Sequence, residues 1–181
     1  MTENTKIENR PIIVNCEGIK TIPELSTMMV DELYKKDDEI LKFKMIDCGT
    51  IPIQDNMTVF IYSKDRIEMC PTIWDPEIRN GIDDIKDKNI IPFYVRFSIS
   101  SLGKVTVDLY ECGSAESRDT PTSSETYPIE AFLTQVGLTA FWQRHPIPIW
   151  KDGDDASKVS YISYSFWIYI GSVIKLLYTR L

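Results

Sequence analysis

Imidazole is almost missing from this chain: its 181 residues include one histidine, His145, set between Arg144 and Pro146. A general base works with a nucleophile beside it and a carboxylate to orient it. No Ser or Cys motif lies near His145, so it reads as a surface loop residue and catalysis is not expected. Thiols are equally sparse. Cys16, Cys48, Cys70 and Cys112 stand 22 to 42 residues apart with no Cys-x-x-Cys pair, which suits free, mostly buried thiols in a reducing compartment and gives no support for a zinc site. There is no G-x-G-x-x-G, no P-loop and no G-x-S-x-G elbow. Cations are outnumbered, with 20 Lys and Arg against 27 Asp and Glu and a formal net charge of −7. Affinity for phosphates comes mainly from clustered Lys and Arg, so no strong direct nucleic-acid binding is expected. The polar start, MTENTKIENR, carries no apolar signal core, and secretion is not expected either.

What is present is a folding composition, 43% hydrophobic and 26% charged, in a length that suits one domain. The acidic runs Asp37-Asp38-Glu39, Asp83-Asp84 and Asp152 to Asp155 read as solvated loop charges, and no cofactor or metal is expected. After a mobile arm at residues 1–10, Ile12-Ile13-Val14 is a short strand signal. Thr21 and Glu24 form a capping box with Pro23 in the first turn, opening a helix whose Ile22, Leu25, Met28, Met29 and Leu33 share one face. Ile40 to Ile46 and Met57 to Tyr62 have strand character. Cys70 to Pro76, with two prolines, predicts an irregular crossing loop.

The clearest pattern runs from Phe93 to Leu109. Phe93, Val95, Phe97 and Ile99 point one way, and Val105, Val107 and Leu109 repeat the alternation after a turn at Ser101-Leu102-Gly103, predicting an antiparallel hairpin with one wet face. Gly113 to Thr126 has no apolar residue larger than alanine and predicts an exposed loop, with Arg118, Asp119 and Pro121 as its candidate contact residues. Pro128 opens a second helix that turns Ile129, Phe132, Leu133 and Val136 inward and that Gly137 ends. Leu138 to Trp142 then reads as a strand. The element order predicts an α+β fold: a single domain over residues 11–158 with two main helices on a mostly antiparallel sheet.

Residues 159–181 stand apart. No charge occurs from Val159 to Ile174, and only Lys175 and Arg180 follow. β-branched and aromatic richness favours a strand, with Trp167 and Tyr169 on one face and Phe166 and Ile168 on the other. Sixteen uncharged residues fall short of the roughly 20 that span a bilayer as a helix. The segment is either a core strand or a contact with a subunit or membrane. For the second role the candidate residues are Phe166, Trp167, Ile168, Tyr169, Lys175 and Arg180.

From Ile12 to Trp150 the order of elements resembles the matrix proteins of rhabdoviruses, most nearly the short matrix proteins of plant cytorhabdoviruses. The likeness lies in the strand, helix and strand at Ile12 to Val14, Thr21 to Leu33 and Ile40 to Ile46. It continues in the proline-led hairpin from Ile91-Pro92-Phe93 to Leu109-Tyr110, then a polar loop, a helix and a strand from Pro128 to Trp142. Budding motifs of the P-P-x-Y or P-[ST]-A-P type and a lysine-rich amino arm are absent. The resemblance implies a structural protein of the virion and of host cytoplasm and membranes. Such a protein self-associates, condenses the nucleocapsid by binding nucleoprotein, and links it to the envelope membrane or glycoprotein. A small soluble adaptor that binds one protein partner is the alternative.

Overall fold

The computed structural model describes residues 12–15, 22–35, 41–45, 57–71, 91, 93–110, 120–151 and 159–180. Among the described residues seven strands form one sheet in chain order: β1 (Ile12–Asn15), β2 (Leu41–Met45), β3 (Met57–Ser63), β4 (Arg66–Pro71), β5 (Tyr94–Ile99), β6 (Lys104–Tyr110) and β7 (Ser123–Pro128). β1 and β2 are parallel, joined through helix α1 (Ile22–Lys35); every later neighbour is antiparallel. Helices α2 (Ile129–Phe132), α3 (Gln135–Arg144) and α4 (Tyr164–Arg180) follow, with a two-stranded ribbon of β8 (Pro148–Lys151) and β9 (Val159–Tyr161) between α3 and α4. The fold is α+β, with its helices on a mostly antiparallel sheet.

Strand periodicity sorts the sheet into two faces. Met57, Val59 and Ile61 on β3, Ile67 and Met69 on β4, Val95, Phe97 and Ile99 on β5, and Val105 and Val107 on β6 are all buried in one core with α1 and α4. α4 fills the middle of that core. Phe166, Trp167, Tyr169, Ile170, Val173, Ile174 and Leu177 are buried, leaving Lys175, Thr179 and Arg180 to solvent. Trp167 meets Phe141 edge-on at 5.1 Å and Phe97 at 6.0 Å, the arrangement that aromatic quadrupoles favour.

Several expectations from sequence change here. The apolar tail is a strand only at Val159–Tyr161 and from Tyr164 is a helix: its side chains recur at three- and four-residue spacing, and packing on several sides overrides β propensity. Leu138 to Trp142 is the body of α3, with Leu138 and Phe141 inward. Gly137 does not end a helix. It sits in the first turn of α3, where Thr134 Oγ1 accepts its N–H at 3.0 Å and where a β-carbon would stand 2.1 Å from the Ala131 carbonyl oxygen. Only a residue without a side chain fits so close to the end of α2. Ser123 to Thr126 is part of β7 and not loop, because an edge strand needs only one partner and β6 supplies it. Cys70 and Pro71 close β4, a strand not expected from sequence although Ile67 and Met69 alternate with Arg66, Glu68 and Cys70. The second face of the hairpin is only partly wet, since Tyr94 and Tyr110 are buried with Phe60 and Cys70 in a separate cluster.

Candidate interaction site

β7 is the last strand of the sheet, and its inward positions are Ser123, Glu125 and Tyr127 where its neighbours carry Val, Phe and Ile. The apolar face therefore ends in polar groups. Beside it lies a small crevice of about 10 Å³, lined by Val95, Val107, Leu109, Phe141 and Ile147 with Ser123, Glu125 and His145 as the polar part of its wall. That is room for about one water molecule, and its surface is almost wholly apolar.

A charged cluster fixes the rim. The Tyr127 hydroxyl donates to Glu125, His145 Nε2 lies 3.1 Å from Glu125 Oε2, and Arg144 Nη2 donates to the Tyr127 hydroxyl at 3.0 Å while standing 3.6 Å from the carboxylate. Tyr127 stacks on Phe132 at 5.4 Å, and the imidazole rests 5.2 Å from the Phe141 ring. The hydrogen bond from Tyr127, helped by His145 and Arg144, holds the Glu125 carboxyl below its usual range. Burial and the facing carboxylate push the Tyr127 phenol up to about 12. His145 is thus no bare loop residue: it is half-buried, caps the C-terminus of α3 and ties that end to the sheet edge. Its partner is 20 residues away on β7, so nothing local to His145 marks the pairing.

A second cluster lies on the opposite face. Glu68, 1% exposed, accepts from the Tyr94 hydroxyl and from Arg96 Nε at 3.3 Å, and its other oxygen is 2.7 Å from Arg66 Nη2. Arg66 and Arg96 in turn cover the rings of Tyr62 at 4.7 Å and Tyr110 at 5.5 Å. Burial, with the nearby carboxylate, raises both the Tyr62 and Tyr94 phenols. A buried carboxylate between two guanidiniums is a self-contained brace across β4 and β5.

The residues singled out from sequence do not converge on one surface. Phe166, Trp167 and Tyr169, read from sequence as candidates for a membrane or subunit contact, are buried in the chain's own core. Ile168 is half-buried and Lys175 exposed. Arg180 pairs with Asp31 at 2.6 Å and covers Tyr34 at 5.5 Å, fastening α4 to α1. Pro121 is half-buried just ahead of β7; Arg118 and Asp119 lie outside the described residues. Among the described residues the exposed large apolar side chains are instead Leu102 at the β5–β6 turn, 86% exposed, Val136 on α3 and Tyr161 on β9. Among the described residues no helix is long and apolar enough to cross a membrane, and no three His, Cys, Asp or Glu side chains gather as a metal site. No family model, curated protein or solved structure matches this chain.

Proposed function

We propose that this chain is a non-enzymatic structural protein of the matrix kind. In this reading it self-associates, binds nucleoprotein to condense a nucleocapsid, and links that assembly to an envelope membrane or glycoprotein in the host cytoplasm. The observation that carries the reading is Leu102, 86% exposed at a hairpin turn that hydrogen bonds hold in place. A large apolar side chain held out in solvent on a braced turn is available to a protein partner. The resemblance in element order from Ile12 to Tyr110 suggests the kind of assembly, although the strand it includes at Leu138 to Trp142 is helical here. The burial of the α4 aromatics moves any membrane or glycoprotein contact away from the tail.

The test is sedimentation velocity of the full chain over a wide concentration range, paired with co-sedimentation on nucleocapsids built from the nucleoprotein of the same genome. Concentration-dependent oligomers and pelleting with nucleocapsids are expected. A strict monomer that leaves nucleocapsids unbound overturns the proposal.

A further inference from the structure

The side chains of β7 alternate between inward and outward, and the alternation of exposure continues back ahead of the strand. Thr120, Thr122, Ser124 and Thr126 are exposed and the residues between them half-buried, so four hydroxyls stand in one outward row at the edge of the sheet. Their surroundings differ. Thr126 Oγ1 lies 3.0 Å from Thr106 Oγ1 across the β6–β7 pair. Ser124 stands directly opposite Asp108, so negative charge added there faces a carboxylate, and like charges directly opposite across two strands are destabilising. Thr122 is tied at its backbone, its N–H donating to the Leu109 carbonyl at 2.8 Å. Thr120 precedes the β6–β7 register. The chain bends at Thr120 and again at Thr122 on its way into β7, which leaves the Thr120 side chain at a corner in solvent.

Thr120 is also followed by Pro121, the only Ser-Pro or Thr-Pro step in the sequence. Proline has no N–H and turns the residue before it away from helical backbone, which is the local feature a proline-directed protein kinase reads. We propose that Thr120 is a phosphorylation site for a kinase of this class, singled out from the outward row by its proline and by its place ahead of the strand pairing. In the step, the γ-phosphoryl group of MgATP passes to Thr120 Oγ1. The Oγ1–P bond forms, the bond from the γ-phosphorus to the β–γ bridging oxygen breaks, ADP leaves, and the hydroxyl proton goes to the catalytic aspartate of the kinase. The product adds about −1.5 to −2 charges to a chain already at −7. It does so at the entry to β7, where no β6 residue is paired opposite it.

The experiment incubates the full chain with a proline-directed cyclin-dependent kinase and MgATP, follows incorporation over time and maps the phosphate by mass spectrometry. A single phosphate on Thr120 is expected. Thr120→Ala is expected to abolish it and Thr120→Ser to keep it. Pro121→Ala retains the hydroxyl and restores the N–H, and is expected to slow incorporation at least about tenfold. A synthetic peptide of residues 114–126 gives the rate for a fully open site, and the folded chain is expected to come within about tenfold of it. Unchanged circular dichroism and melting confirm that the variants fold. Phosphate on Ser124 or Thr126 in place of Thr120, or incorporation that Pro121→Ala leaves undiminished, overturns the assignment. So does a folded chain that stays unmodified while the peptide is phosphorylated, because Thr120 is then not presented by the fold, and so does a peptide that is itself no substrate. Incorporation is read whether the chain is monomeric or assembled, so failure here leaves the assembly reading standing and failure of that reading leaves this site standing.

Discussion

The hydroxyl of Tyr178, near the end of α4, lies 3.0 Å from the point where a β-carbon on Gly103 would stand. Gly103 is also left-handed, at φ +77°, so this turn is restricted twice, by backbone conformation and by the ring above it. Gly103→Ala is expected to cost about 1 to 2 kcal/mol from the left-handed conformation, plus the displacement of Tyr178. Chemical denaturation of Gly103→Ala and of Gly103→Ala combined with Tyr178→Phe separates the two contributions. A fully restored midpoint in the double variant would assign the whole cost to the hydroxyl.

Trp167 tests whether α4 is core. Trp167→Ala is expected to destabilise by about 3 to 5 kcal/mol, while Lys175→Ala, on the exposed side, changes stability by less than about 0.5 kcal/mol. The indole nitrogen is buried without a hydrogen-bond partner, so Trp167→Phe removes an unsatisfied donor along with packing area and costs distinctly less than the alanine change. Urea midpoints of the three variants check the order.

Breaking the Glu68 brace leaves two guanidiniums without their carboxylate. Glu68→Ala is expected to cost about 3 to 5 kcal/mol, in the range for removing one partner of a buried ion pair. Arg66→Ala costs less, since 42% of the Arg66 side chain is exposed and can be solvated. Equal effects of the two substitutions in thermal melts would show that Glu68 is not the centre of the cluster.

The Glu125 cluster carries a pH signature with a definite sign. Its carboxyl is held below the usual range when folded, so the unfolded chain binds the proton more readily. The contribution is present above the ordinary carboxylate pKa of about 4.3 and is lost as pH falls through the lower folded value. The denaturation midpoint of the wild type should therefore exceed that of Glu125→Gln at neutral pH, and the gap should close on acidification. A constant gap down to strongly acidic pH would mean that the carboxylate charge contributes nothing.

Parts of the site are legible in the amino-acid order. Val95, Val107 and Leu109 declare their inward direction by strict alternation, and the turn at Ser101-Leu102-Gly103 places Leu102 in solvent. Phe141 and His145 are not legible in this way, because a five-residue apolar run such as Leu138 to Trp142 fits strand and helix equally well. Glu125 is hidden in a polar stretch that only β6 turns into a strand.

The amino-acid order alone determines the α+β class, the amphipathic α1 and the β5–β6 hairpin, because each follows from local periodicity and turn chemistry. Only the tertiary structure decided the state of residues 164–180, where apolar residues at nearly every position satisfy a strand period and a helix period together. Burial between the sheet, α1 and α3 resolves them as a helix. The crevice and the Glu125 cluster were likewise decided by folding: their residues lie on β5, β6, β7, α3 and the segment after it, and distances across the chain are fixed only when those elements pack.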